Sequence, residues 1–193
     1  ASTKFMEHAI EALGGLDTLV NNAGIAGPTG PVDEIAPEEW DRCLQICLTS
    51  QFNMARIAVP HLKASANASI INLSSLAGRV GFALRAPYAA AKWGVIGFTK
   101  SLSIELGGDG IRCNAILPGL VAGDRQRRVL EAKAQRLGKS FAETEAQAFS
   151  YTSIQDYVTP QQIADQIIYL ASERGRTISG QAISVCGDTQ RLT

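Results

Sequence analysis

The amino-acid sequence predicts an α/β layered fold around a parallel sheet. Three observations point there. Four short runs, Leu16–Asn21, Ser69–Ser74, Ile111–Leu117 and Ala182–Cys186, have the near-continuous apolar character of strands covered on both faces. Longer segments with helix start signals separate them. No tight hairpin joins one run to the next, which favours strand–helix–strand crossovers.

Each element has a local reason. Ala1–Leu13 reads as a helix leading into the first run. Pro37 stands at a first-turn position ahead of Glu38 and Glu39, and opens a helix expected to reach about Ala66. Pro87 opens another that Gly107 and Gly108 stop after Leu106. Thr159 and Pro160 cap and open a third, which ends before Gly175. Residues 124–157 are rich in Arg, Glu, Gln and Ala, and lie between a strand end and a capped helix. Ligands bind at the carboxyl ends of strands in open α/β sheets. A substrate lid and a plain solvated helical pair are therefore both open readings of that segment. No linker divides the chain, so residues 1–193 are expected to be one domain, with 124–157 as its lid or insertion.

Composition narrows the function. Of 193 residues 46% are hydrophobic, and 18 basic residues balance 18 acidic ones, so no excess of charge argues for nucleic acid or an anionic membrane. No run approaches the roughly 20 apolar residues of a membrane-spanning helix, and Ala1–Leu13 lacks the pattern of a signal peptide. Cys43, Cys47, Cys113 and Cys186 form no CxxC pair, and no histidine stands at ligand spacing. Reduced thiols, no metal site and a cytoplasmic location are expected. Cys43 and Cys47 share a helical face as small core residues.

Tyr88-Ala-Ala-Ala-Lys92 carries the first chemistry. Four residues apart on a helix, phenol and ammonium lie on one face. A tyrosine hydroxyl titrates near ~10, and a neighbouring ammonium is expected to lower that value and make it a general acid/base. Ser75 closes a strand at its carboxyl end, where its hydroxyl can meet a substrate oxygen; strand-end capping is the plainer role. Asn21-Asn-Ala-Gly24 and Pro118-Gly119 also follow strands at their carboxyl ends.

Together, Leu19–Gly24, Ile71–Ser75, Tyr88–Lys92, Ile111–Gly119 and Ile178–Val185 resemble the short-chain dehydrogenases/reductases, in order and over essentially the whole chain. The resemblance implies a Rossmann-like, doubly wound parallel sheet and hydride transfer between NAD(P) and a secondary alcohol or ketone. It implies that Ser75 orients the substrate oxygen, that Tyr88 is the acid/base, and that Lys92 lowers the tyrosine pKa and holds the nicotinamide ribose. Asn22, Ala23 and Gly24 would line the adenosine side. Pro118, Gly119 and Val121 would border the nicotinamide, with the Val121 backbone suited to its carboxamide. NAD or NADP would serve, NAD being preferred. A sugar, polyol, steroid or 3-oxoacyl thioester would all be admissible substrates. A homo-oligomer, dimer or tetramer with a lean to the tetramer, would form through the helices of Trp40–Ala66 and Tyr88–Leu106.

Three departures stand out. Cys47 occupies the position of the family's fourth catalytic residue, an asparagine whose main chain helps hold a proton-relaying water. Pro118–Gly123 lacks the family's threonine hydroxyl. No glycine-rich phosphate turn precedes Asn21, so the N-terminal βαβαβ half is missing from these residues, and with it the determinants of NAD against NADP. Leu16–Asn21 would then be a bare apolar edge, and an upstream segment is expected in a soluble sample. The competing reading is a non-catalytic binding or assembly module of the same fold, unable to bind cofactor.

Overall fold

In the computed structural model, which describes residues 2–192, four strands form one parallel sheet in the order β1-β2-β3-β4. They are β1 (Thr18–Asn21), β2 (Ser69–Leu73), β3 (Arg112–Pro118) and β4 (Ala182–Val185). All four expected runs are strands, shifted at their ends by one or two residues. The parallel register sets Asn21 beside Asn72 and Leu73 beside Ile116, so every strand delivers its carboxyl end to the same side.

Seven α-helices complete the fold: α1 (Ser2–Leu13), α2 (Pro37–Leu44), α3 (Ser50–Leu62), α4 (Ala86–Leu106), α5 (Asp124–Leu137), α6 (Phe141–Phe149) and α7 (Pro160–Ala171). Side chains alternate across β2. Ile70 packs with Met6, Ala58, Leu62 and Leu102 of α1, α3 and α4, whereas Ile71 and Leu73 pack with Leu170 of α7. Both faces are therefore covered, which is why the central strands read as unbroken apolar runs. A buried polar chain crosses the first layer: Asn21 Nδ2 donates to Asn72 Oδ1 at 2.9 Å, and Asn72 Nδ2 donates to Thr99 Oγ1 at 3.0 Å. It ties β1, β2 and α4 in one register. β1 lies at an edge of this sheet, with Val20 40% exposed.

The helix expected from Pro37 to Ala66 is interrupted. Between α2 and α3, Gln45–Thr49 forms a π-helical turn, and the regular helix ends at Leu62. The wider turn places Cys47 fully inside, against the start of the loop after β1. Thr159 accepts from the Gln162 N–H, and the Gln162 side chain returns the bond, so α7 begins on a capping box where Thr159-Pro160 predicted.

Candidate active site

The carboxyl ends of β1, β2 and β3 converge on one region, and the loop between β2 and α4 closes it. Ser74 donates to the Lys92 carbonyl at 2.8 Å, pinning α4 to the end of β2. Gly78 makes that approach possible: a Cβ there would lie 2.6 Å from both the Lys92 carbonyl oxygen and Ser74 Oγ. Gly78→Ala is expected to lower stability by about 1–3 kcal/mol, measured by denaturant unfolding.

Helical spacing sets Tyr88 and Lys92 on one face of α4, with Nζ 5.6 Å from the tyrosine ring centre. Ser75 and Tyr88 line the same cavity, and the Ser75 hydroxyl favours the Tyr88 phenolate. Ser75 also accepts from the Ala77 N–H at 3.2 Å, so the capping role holds alongside. Lys92, only 4% exposed, donates to the Leu73 carbonyl at 2.7 Å.

The electrostatics correct one expectation. Burial pushes the Tyr88 phenol above its usual value; Arg125, the Ser75 hydroxyl and Arg85 draw it back. Burial also destabilises the Lys92 ammonium and lowers it to about 8. Two arginines thus favour the phenolate, which the Tyr-x-x-x-Lys spacing does not reveal. Arg85 is 4% exposed, with its guanidinium 5.4 Å from the Tyr88 ring centre and an equal distance from that of Phe82. Leu84 holds a left-handed φ of 64°, and its carbonyl accepts from the Gly30 N–H at 2.9 Å, fixing the backbone that carries Arg85. Nothing in the sequence separated Arg85 from Arg79, the other cation of the same loop.

Cys43 and Cys47 are buried core residues, as their spacing predicted, and they also interact. The neighbouring Cys43 thiol, the Ile25 N–H at 3.4 Å and the charges of Lys92 and Arg125 favour the Cys47 thiolate against the cost of burial, while Cys43 is pushed up. The Cys47 carbonyl accepts from Gln51 Nε2 at 3.2 Å, and the same amide donates to the Leu73 carbonyl at 3.3 Å. A buried glutamine thus joins Cys47 to the carbonyl that holds Lys92. Gln51 was not legible beforehand, since nothing in its helical context separates it from a surface residue.

Asn22, Ala23 and Gly24 leave β1 toward this site, and Arg125 Nη1 donates to the Gly24 carbonyl at 3.3 Å. A Cβ on Gly24 would lie 3.7 Å from Cys47 Sγ and 3.8 Å from Lys92 Nζ, so glycine keeps that flank of the ammonium open. Pro118 and Gly119 line the cavity at Tyr88. Val121 pairs with Val158, but the bonds use the Leu120 carbonyl and the Ala122 N–H, leaving Val121's own backbone groups outside the pairing. This donor set fits the riboside and carboxamide of a nicotinamide nucleotide. The glycine-rich turn that would take its pyrophosphate is not among residues 1–193. Among the described residues, no group of His, Cys, Asp and Glu could hold a metal ion.

The profile of the family described as Enoyl-(Acyl carrier protein) reductase matches residues 1–187. The chain belongs to the short-chain dehydrogenases/reductases. This is a family of NAD(P)-dependent oxidoreductases of alcohols and ketones, and the sheet is the Rossmann-like sheet the family implies. It is 36% identical over 187 residues to a ketoacyl reductase of the monensin polyketide synthase of Streptomyces virginiae, covering 96% of this chain and 71% of that protein. It is 41% identical over 180 residues to trans-4-hydroxycyclohexanecarboxylate dehydrogenase of Sinomonas cyclohexanicum, covering 93% of this chain and 62% of that one. The crystal structure of actinorhodin polyketide ketoreductase with NADPH superposes with a TM-score of 0.90 at 32% identity, over 96% of this chain and 72% of that one. The chain thus spans between 62% and 71% of the length of these two curated relatives.

Proposed function

We propose that this chain carries the catalytic residues of an NAD(P)-dependent alcohol dehydrogenase or ketone reductase, with Tyr88 as acid/base. The observation that carries the reading is Ser75 and Tyr88 lining one cavity at the carboxyl ends of the strands, with Lys92 Nζ 5.6 Å from the tyrosine ring centre. A nicotinamide nucleotide held there would supply or accept the hydride at the carbonyl carbon. Ser75 and Tyr88 hold the substrate oxygen between two hydroxyls. In reduction the Tyr88 hydroxyl gives its proton to that oxygen, and the positive charges of Arg125 and Arg85 stabilise the phenolate left behind. Lys92, held on the Leu73 carbonyl and near 8, exchanges a proton close to neutral pH and would hold the ribose hydroxyls of the nucleotide. Asn22, Ala23 and Gly24 take the adenosine side; Pro118, Gly119 and Val121 border the nicotinamide. Mixing the protein with NADH or NADPH and a panel of ketones, and following loss of nicotinamide absorbance, tests this. No oxidation with either nucleotide would leave the non-catalytic reading.

Cys47 tunes Lys92. Its thiolate is the leading influence holding the ammonium up against burial. Cys47→Asn removes that charge, so the Lys92 inflection in the pH–rate profile is expected to move to lower pH. An unchanged profile would show that Cys47 is not an anion here.

Residues 124–157 act as a lid, since Arg125, Gln126 and Val129 of α5 line the cavity beside Tyr88. NAD is preferred over NADP on resemblance alone. A homo-oligomer forms through α3 and α4, where Phe52 is 47% and Trp93 52% exposed, whereas Leu62 and Val95 of the same helices are core. Cytoplasmic residence agrees with four unpaired cysteines. No helix among the described residues is long and apolar enough to cross a membrane.

A further inference from the structure

We infer that the substrate of this site bears a carboxylate, seated between the guanidinium groups of Arg85 and Arg125. The inference rests on the oxidoreductase reading of the site and names its substrate class. Both arginines line the cavity of about 80 Å³ that also holds Ser75 and Tyr88, and among its described lining residues there is no aspartate or glutamate.

Arg85 is a buried cation without a counter-charge. The ion pairs among the described residues are Lys63–Asp109, Arg127–Glu131 and Arg136–Glu34, none of which includes Arg85 or Arg125. Two neutral groups, Thr29 Oγ1 at 3.3 Å and the Ala26 carbonyl, accept from Arg85, and its Nε is buried with no partner at all. Its acidic neighbours are Tyr88, Cys43 and Cys47. Tyr88 and Cys43 remain protonated at neutral pH, and Cys47 already faces Lys92. Burying a guanidinium in this way is costly unless an anion arrives. Arg125 adds a second, exposed cation whose one bond is to the Gly24 carbonyl, and each arginine opposes the other's charge. Two guanidinium groups on one cavity that holds no carboxylate of the protein match the charge and the two oxygens of a ligand carboxylate. Arg127, the neighbour in sequence, is spent on Glu131 and takes no part.

Calorimetric titration of 4-oxopentanoate and its neutral isostere 4-oxopentanamide, with NADH or NADPH present, tests the inference. The acid is expected to bind about ten-fold more tightly than the amide, the difference one charge-assisted hydrogen-bond pair makes. Arg85→Gln and Arg125→Gln are each expected to abolish that preference; Arg125→Gln, on an exposed helix, keeps the test available if the buried change unfolds the chain. Equal binding of acid and amide, binding of neither, or a preference that survives in Arg125→Gln overturns it. Nucleotide oxidation in the same samples separates the two claims. An acid that binds tightly but is not reduced defeats the reaction and leaves the carboxylate site, whereas equal binding and reduction of both ligands defeats the carboxylate site and leaves the reaction.

Discussion

Tyr88→Phe is expected to lower ketone reduction by about 10²- to 10⁴-fold, the range supplied by a positioned general acid. Only the hydroxyl is lost, so the ring keeps its place under Arg85 and above Lys92, and nucleotide affinity is expected to stay within about two-fold. Steady-state rates and a direct nucleotide titration check the two halves separately. The pH dependence of the parent protein has a definite sign. Because burial raises the phenol, Tyr88 keeps its proton through neutral pH, and reduction is flat there. Alcohol oxidation needs the phenolate, so its rate rises with pH. Tyr88→Phe loses that rise.

Lys92→Met is expected to abolish measurable turnover yet leave the protein no less stable at pH 7. The ammonium costs stability because it is buried: its pKa falls from 10.5 to about 8 on folding. Between those values the unfolded chain binds more protons than the folded one, so Lys92 makes stability rise with pH from about 8 to 10.5 and penalises the fold below 8. The penalty is on the order of 3 kcal/mol. Methionine fills the same space without charge, and the Leu73 carbonyl keeps its bond from Gln51. The difference between the two proteins' denaturation free energies, measured from pH 7 to 11, is expected to shrink as pH rises. A variant that is inactive and also unstable at pH 7 would make Lys92 a structural residue. An active-site group that costs stability is a familiar trade.

Much of this was legible in the chain itself. The central strands β2 and β3 are buried on both faces, so their apolar runs were unmistakable, and Thr159-Pro160 announced α7 through local chemistry alone. Ser75, Tyr88 and Lys92 were legible because helical spacing and strand ends fix their neighbours within one or two elements. The interruption at Gln45–Thr49 was not, since a π-turn has no composition of its own and depends on what packs against it.

The sequence by itself determined the layered fold through local patterning and, through five motifs in order along the chain, the family resemblance that implies the three residues proposed for proton transfer. Tertiary structure decided the electrostatics of those residues. Arg125 lies 37 positions beyond Tyr88 and Cys47 lies 45 before Lys92, yet they act on the same proton. Charge and desolvation depend on distance and burial in space, and no spacing along the chain encodes either. That is why neither the lowering of Lys92 to about 8 nor the pull of Arg125 on the Tyr88 phenol was readable from the Tyr-x-x-x-Lys spacing.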